Sequence, residues 1–252
     1  MIPTIDDTGN MGAVINENAA VGNADPVVGE VNFGADLITS RFIPVSDKML
    51  RLSNAANLET ELNRAVGERI GRTANQRFTT GTDGIMTRTT KTYTVTTEVD
   101  ELPIRADDIY ELIYSVPRYY RGPGRPGVGF QMRDSTVKTL RQIKNGNGDY
   151  MFSNSGNLVG GEPDRLDVYP LWVNEHIEAI PTAASENEDV MLFGDMRSYA
   201  MRVAGRVNMV RSRERFINIL QAGFMGFVYA QGKMVDANAF AKLNAARIAD
   251  SG

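Results

Sequence analysis

The chain has 252 residues, 42% hydrophobic and 23% charged, an ordinary composition for a globular protein with room for a sizeable core. It has no cysteine and one histidine, His176, which excludes disulfides, thiolate and two-histidine metal sites, and most histidine-based acid–base catalysis. The formal net charge of −4 argues against electrostatic binding of nucleic acid by the protein as a whole. No apolar run reaches the roughly 18 residues of a membrane span, so we expect no membrane association.

The first 38 residues predict a long β-hairpin with little core of its own. Two short alternating pieces, Gly12–Glu17 and Glu30–Phe33, flank the polar stretch Asn18–Pro26. Large apolar side chains are few here, so the hairpin must lie on its own domain or on a neighbouring subunit.

A strand and then a short helical turn opened by Ser46 or Asp47 are predicted over 39–52. A much longer helix follows at about 54–80, because apolar residues recur at every fourth position: Leu58, Leu62, Val66, Ile70, Ala74 and Phe78. At roughly 1.5 Å per residue this helix spans about 40 Å. A stripe with this spacing drifts around the helix, so its two ends are expected to face different surfaces.

The remaining elements mix strands and helices without regular βαβ alternation. Strands are predicted within 86–104 and at 127–133, around 150–152, at 167–177 and 190–193, near 199–203 and at 216–229. Asp107 and Asp108 open one helix and Asp134 caps another, which ends at Gly146. A short Ala-rich helix at 237–248 closes the chain. This pattern predicts an α+β fold.

Two motifs that suggest chemistry lack the context that the chemistry needs. Residues 121–127 contain the G-x-G-x-x-G spacing, but a helix precedes it and a strand follows, so a surface loop is favoured over a nucleotide site. His176 is expected on a strand with Glu178 on the same face. A lone histidine there is more often a surface or hydrogen-bonded residue than a catalyst.

The charged clusters also have simple structural explanations. Asp107 and Asp108 suit a helix N-terminus, and the acidic run 186–189 lacks the spacing of a calcium loop, so a solvated loop is favoured. Five arginines form the densest basic stretch: Arg202, Arg206, Arg211, Arg213 and Arg215. Nucleic acid could face them, but interleaved aromatic residues are absent, and salt bridges between subunits explain them as well or better. We therefore expect no catalytic, cofactor-binding or metal-binding residues.

The order of these elements, with several local motifs, resembles the major capsid proteins of tailed bacteriophages. Phe42–Leu50 is similar to the family's I-x-V-S-x-E-L-L, and the segment from Phe78 resembles the F-x-x-G-x-G at the end of its spine helix. Further matches are Ala106–Leu112, Ser135–Arg141 and Gly148–Met151. Leu192–Tyr199 resembles F-G-D-x-x-x-Y, and the segment from Phe216 to Ala237 resembles the family's closing strand and helix.

The resemblance implies the Hong-Kong-97 fold and a division of the chain into four segments. Residues 1–38 would form the N-terminal strand and extended loop, 39–104 the peripheral domain with its spine helix, 105–204 the axial domain, and 205–252 the return to the peripheral domain. Some family members cross-link a lysine of the extended loop to a neighbour, but residues 1–38 contain no lysine, so no such link is expected here.

The resemblance also implies a structural function. The chain would self-assemble into hexamers and pentamers of an icosahedral head, in the virion after assembly in the host cytoplasm, and enclose double-stranded DNA without sequence-specific binding. It would not be an enzyme and would need no cofactor. Portal, scaffolding, protease and decoration proteins are the expected partners. Two alternatives remain: the shell protein of an encapsulin-type compartment, which shares the fold, and an unrelated enzyme or binding protein.

Overall fold

The computed structural model describes residues 2–6, 27–52, 55–98, 103–122, 125–143, 165–166 and 168–248. Its strands are β1 (Ile2–Asp6), β2 (Val27–Val31), β3 (Asp36–Thr39), β4 (Ile43–Ser46), β5 (Thr92–Glu98), β6 (Val128–Met132), β7 (Arg165–Leu166), β8 (Tyr169–Val173), β9 (Asn187–Asp195), β10 (Tyr199–Ser212), β11 (Gln221–Met234) and β12 (Phe240–Ile248). Its helices are α1 (Asp47–Leu52), α2 (Ala55–Thr80), α3 (Ile85–Arg88), α4 (Ala106–Ser115) and α5 (Asp134–Arg141).

The N-terminal hairpin pairs β1 with β2 in antiparallel register, from Ile2 opposite Val31 to Asp6 opposite Val27. The predicted second strand overlaps β2. The predicted first strand, Gly12–Glu17, lies outside the described residues, and β2 pairs with Ile2–Asp6 instead. β1 contains Pro3, and a proline is tolerated on the edge of a two-stranded ribbon.

The first sheet has the order β10-β11-β3, and β4 pairs with the other half of β11. β3 and β4 therefore act as one interrupted strand along β11. Ser40 sits in the interruption, where its Oγ accepts from Gly226 N–H at 2.9 Å and its own N–H donates to Gly226 O at 2.9 Å. These two bonds keep the sheet continuous across the gap.

Helix α2 lies across one face of the first sheet, and its apolar residues from Leu58 to Phe78 all pack against that sheet, whereas the sequence predicted that its two ends would face different surfaces. Leu62, Val66 and Ile70 are buried, and a Cβ on Gly226 of β11 would clash with Val66 Cγ1. Glycine at this position therefore lets the helix approach the sheet closely. The outward face of α2 is charged, with ion pairs from Arg64 to Glu61 at 2.9 Å and to Glu68 at 3.5 Å.

The second sheet has the order β5-β12-β9-β6-β8-β7 and carries most of the core. β12 is parallel to β5 and β6 is parallel to β8, whereas the other pairs are antiparallel. Helices α4 and α5 present buried faces to the same core, with Ile109, Leu112 and Ile113 from α4 and Val137 and Leu140 from α5. On both helices the buried apolar residues are spaced three or four apart, as one face of a helix requires.

Polar contacts join the two sheets near the end of α2. Asn174, which is buried, donates to Thr79 Oγ1 at 2.9 Å and accepts from Asn75 Nδ2 at 3.1 Å. Nearby, the Tyr199 hydroxyl donates to the backbone oxygen of Asp83 at 2.9 Å. The C-terminal end of α2 and the residues just beyond it are thus bonded to the turn after β8 and to β10.

The largest error of the sequence analysis is the closing helix. Residues 240–248 form strand β12, not an Ala-rich helix, and only 237–239 make a short helical turn. Alanine, leucine and lysine favour a helix locally, but the segment alternates between buried and half-buried residues. Pairing with β5 and β9 on its two sides outweighs local propensity. This strand therefore belongs to the second sheet, although the segment 205–252 was expected to return to the peripheral domain.

Smaller differences concern strand ends and caps. His176 lies in a turn beyond β8, and Phe216 lies in a short helical turn before β11. Asp134 is the first residue of α5 and not its cap, because Arg133 holds the preceding extended position. Ser46 does cap α1, since its Oγ accepts from Met49 N–H at 3.2 Å. The predicted strand around 150–152 and the helix end at Gly146 fall outside the described residues.

Candidate functional site

Strand β10 forms one edge of the first sheet and is exposed over 201–211. Several of its exposed side chains are large and apolar. We call these residues the edge-strand surface: Met201, Val203, Val207, Met209 and Val210. A long edge strand with apolar side chains and backbone groups that no other strand of its sheet engages is a ready template for another protein.

The register of β10 against β11 places most of this surface on one face. Val203 is opposite Ala230 and Met209 is opposite Gly226, and both partners lie on the side of β11 that packs against α2. Met201 and Val207 alternate into the same face. Four of the five apolar residues thus form a single strip beside helix α2, and Val210 points to the opposite face.

A bulge in β10 preserves this strip. The register jumps between Ala204, opposite Tyr229, and Asn208, opposite Phe227, so β10 holds two more residues than β11 across the gap. An insertion of two residues keeps the alternation of side chains, whereas an insertion of one would turn all later residues to the other face. Gly205 has φ +83°, which residues with a Cβ rarely adopt.

The turn between β10 and β11 carries a second apolar group, the tip cluster of Ile217, Ile219 and Leu220. These side chains are 71%, 54% and 74% exposed, respectively. The turn itself is anchored, because the Phe216 ring packs edge-on against Phe42 with centroids 5.6 Å apart. The tip cluster is therefore exposed to solvent on a turn whose position is fixed by the contact between Phe216 and Phe42.

The five arginines of this region do not act as a set. Arg211 lies over the Phe224 ring at 5.4 Å and Arg215 lies over the Phe42 ring at 5.1 Å, so both cover apolar surface. Arg202 reaches the backbone oxygen of Phe33 at 3.5 Å. Within the described residues none of the five makes an ion pair. The expectation of salt bridges between subunits stays a prediction.

The other residues singled out in the sequence are scattered. The backbone N–H of His176 donates to Asn174 Oδ1 at 3.2 Å, and its turn does not place Glu178 on a shared strand face. Asp108 Oδ2 accepts from Arg105 N–H at 2.7 Å at the start of α4, as an acid at a helix N-terminus should. The loop before β6 follows a helix and precedes a strand, opposite to a nucleotide-binding motif.

The acidic run 186–189 spans the start of β9: Glu186 lies in the loop, and residues 187–189 are the first residues of the strand. Glu186 Oε2 accepts from Ala183 N–H at 3.2 Å, and Asp189 pairs with Lys242 at 2.7 Å. Among the residues that the structure describes, no group of three or more histidines, cysteines and acids could hold a metal ion. In that same part of the chain no helix is long and apolar enough to cross a membrane.

Sequence reasoning missed the edge-strand surface, although the signal was present. Val203, Val207 and Met209 alternate with arginines and small residues, which resembles a strand with one buried face. That pattern indicates that one face of the strand is apolar. It does not show whether this face is buried within the same chain or exposed on its surface.

These features define a class of protein: an α+β protein whose first sheet exposes apolar side chains along one edge strand. The phage capsid family matches residues 2–245, and the chain belongs to that family. No curated protein matches the chain.

Solved structures share the fold at low sequence identity. A chain described as "Capsid of native GTA particle computed with C5 symmetry" is 22% identical, with 97% of this chain and 84% of that chain covered and a TM-score of 0.76. A chain of Gordonia phage Cozz is 14% identical, with 99% and 81% covered and a TM-score of 0.68. One of Mycobacterium phage Ogopogo is 13% identical, with 96% and 85% covered and a TM-score of 0.68.

Proposed function

We propose that this chain is the major capsid protein of a phage head and that it builds the shell through the edge-strand surface and the tip cluster. Membership of the phage capsid family gives the function. The observation that ties it to this molecule is strand β10, which exposes apolar residues over its middle while α2 covers the neighbouring β11. A subunit that ends its sheet in this way is completed by another protein chain.

The proposal includes the finer architecture of the Hong-Kong-97 fold. Helix α2 would be the spine helix, the β1–β2 hairpin would belong to the extended loop of 1–38, and the second sheet with α4 and α5 would be the axial domain. The peripheral domain would take 39–91 and 199–239. The pairing of β5 and β12 with the central strands supports assigning both to the axial domain.

Assembly would proceed through hexamers and pentamers into an icosahedral shell around double-stranded DNA. The net charge of −4 supports enclosure without strong attraction of DNA to the subunit as a whole. Portal, scaffolding, protease and decoration proteins would act on this shell during its assembly in the host cytoplasm. We assign the chain no catalytic role, because its exposed apolar surfaces and its family both suit a structural subunit.

The experiment is to purify the chain and raise its concentration, alone and with the head proteins of its source, and to follow it by sedimentation and negative-stain electron microscopy. We expect rings of subunits or closed shells that sediment far faster than a 27.7 kDa monomer. A protein that stays monomeric under all these conditions would contradict the proposal. Shells purified from their natural source should contain DNA, whereas protein cargo would point to the encapsulin alternative.

A further inference from the structure

The C-terminal end of α4 and the segment that follows it expose tyrosine and arginine side chains outside the edge-strand surface and the tip cluster. We call Tyr114, Arg118, Tyr119, Arg121 and Arg125 the Tyr–Arg patch. Tyr114 and Tyr119 are each 66% exposed, and Arg121 and Arg125 lie over their rings at 4.2 Å and 4.9 Å. Arg118 is exposed and has no ion-pair or hydrogen-bond partner among the described residues. Tyrosine and arginine are the residue types enriched at the energetic centres of protein interfaces.

A shallow cavity of opposite charge lies elsewhere on the same molecule. It measures about 190 Å³ and is lined by the acids Glu178, Glu188 and Asp189, by the apolar residues Met86 and Ile177, and by Thr80, Thr87, Asn187 and Asn244. It is smaller than the roughly 300 Å³ at which small-molecule sites begin, so a single side chain suits it better. Lys242 neutralises Asp189 at 2.7 Å, and within the described residues Glu178 and Glu188 form no ion pair.

The polar groups of this cavity offer mainly acceptors. Asn244 Nδ2 donates to Asp189 Oδ1 at 2.9 Å, which leaves Asn244 Oδ1 as an acceptor. That atom is buried and receives no hydrogen bond within the described part of the chain. A guanidinium group supplies five donors and one positive charge in a planar fork, which suits carboxylate and amide oxygens together.

The patch and the cavity lie at opposite ends of strand β9. Asp189 is near the start of the strand, whereas Asp195 is its last residue and pairs with Arg125 at 3.6 Å. At about 3.3 Å per residue the two ends are roughly 20 Å apart, too far for a contact within one subunit. Complementary surfaces at opposite ends of a molecule are what a head-to-tail contact between identical copies requires.

We propose that Arg118 of one copy enters the acidic cavity of the next copy, so that neighbouring subunits join head to tail through their second sheets. The inference rests on the proposed function, since it assumes that copies assemble. Tyr114 and Tyr119 pack around the entering arginine and exclude water, which strengthens its interaction with Glu178 and Glu188. Nucleic acid is the other partner that a basic, aromatic patch fits, but only a second copy accounts for the acidic cavity as well.

The test is a charge exchange, with Arg118→Glu, Glu188→Arg and the double variant compared for particle yield by sedimentation. Each single variant places like charges together, and we expect it to lower the yield roughly tenfold or more. The double variant should restore the yield to within roughly twofold of the original, because the pair is reversed. Arg118→Lys keeps the charge and serves as the matched control. Thermal unfolding of dissociated subunits should be unchanged, since both residues are exposed.

The outcomes separate this inference from the proposed function. If the unaltered chain forms no particles, both fail. If it assembles and either single variant assembles equally well, or the double variant stays as poor as the singles, the head-to-tail contact is wrong and the capsid function stands. If Arg118→Glu assembles normally but its particles hold less DNA, the patch faces nucleic acid and the inference is overturned.

Discussion

The two sheets of this molecule differ in how completely the chain buries them. The second sheet shares one cluster of 27 buried residues with α3, α4 and α5. The first sheet has two small clusters of five and four buried residues, all on the side of α2. The chain therefore buries the apolar side chains of the second sheet much more completely than those of the first sheet.

This difference indicates a division of labour. Fold stability resides mainly in the buried side chains of the second sheet, where removal of a side chain leaves a cavity. Under the proposed function, the apolar side chains that the first sheet exposes to water contribute to assembly, as do the exposed charges of the second sheet under the head-to-tail contact. Substitutions in the second sheet should change the free energy of unfolding. Substitutions on β10 should instead change association.

The largest expected effect is that of Phe193→Ala. Phe193 is fully buried, with its ring centroid 4.7 Å from that of Phe130 and 5.0 Å from that of Tyr169. Its loss should lower the free energy of unfolding by about 3–5 kcal/mol, measured by denaturant titration. Phe227→Ala in the first sheet is the matched comparison and should cost only about 1–2 kcal/mol, because Phe227 is half-buried. Equal costs would contradict the division.

A smaller effect is expected where α2 meets the first sheet. Gly226→Ala adds a Cβ that clashes with Val66 Cγ1, so it should lower the free energy of unfolding by about 1–3 kcal/mol. When Val66→Ala is combined with Gly226→Ala, it removes the methyl groups that clash. The double variant should therefore lose less free energy of unfolding than the sum of the two single variants. Gly67→Ala is the control on the same helix: its Cβ meets nothing within 4 Å, and it should stabilise by up to about 1 kcal/mol.

Tyr199 gives a pH-dependent test of the contact between the sheets. Burial, aided by the negative charge of Asp83, raises the pKa of Tyr199 to about 12 from the usual 10. The folded state thus holds the proton more tightly, and this contribution to stability is present below pH 10 and is lost as the pH rises from 10 to about 12. The advantage of the unaltered chain over Tyr199→Phe, about 1 kcal/mol at pH 8, should fall over that range and change sign as the pH approaches 12. A constant difference would show that the hydroxyl is not buried as described.

The smallest effect on the subunit, with the clearest effect on assembly, is expected for Val203→Asp. Val203 is 60% exposed, so the free energy of unfolding of the monomer should change by no more than about 0.5 kcal/mol. A charge in the apolar strip should nevertheless prevent particle formation. Val173→Asp is the control, because Val173 is 45% exposed on β8, outside the apolar strip. It tests whether a new charge on any exposed valine prevents particle formation. Normal shells from Val203→Asp would remove the edge-strand surface from the proposed assembly contacts.

The elements that sequence predicted correctly are those with a strong local pattern. Helix α2 carries a regular apolar repeat, and the buried face of α4 follows from Ile109, Leu112 and Ile113. Strand β12 was missed because Leu243, Ala245 and Ala246 favour a helix locally, and only its neighbours β5 and β9 make it a strand. The edge-strand surface was missed for a related reason. A local pattern shows that side chains alternate, whereas their exposure depends on whether other elements of the fold pack beside the strand.

The bulge in β10 has a consequence for the period between synthesis and assembly. A capsid protein accumulates in many copies, and a straight apolar edge strand on each would invite pairing of edge to edge and precipitation. The extra residues around Gly205 kink the edge, and Arg202, Arg206 and Arg211 place like charges along it. Two such edges brought together would match poorly in shape and would repel each other. Under the proposed function, this mismatch would disfavour pairing of free subunits edge to edge and would leave the apolar strip open to a neighbour in the correct orientation.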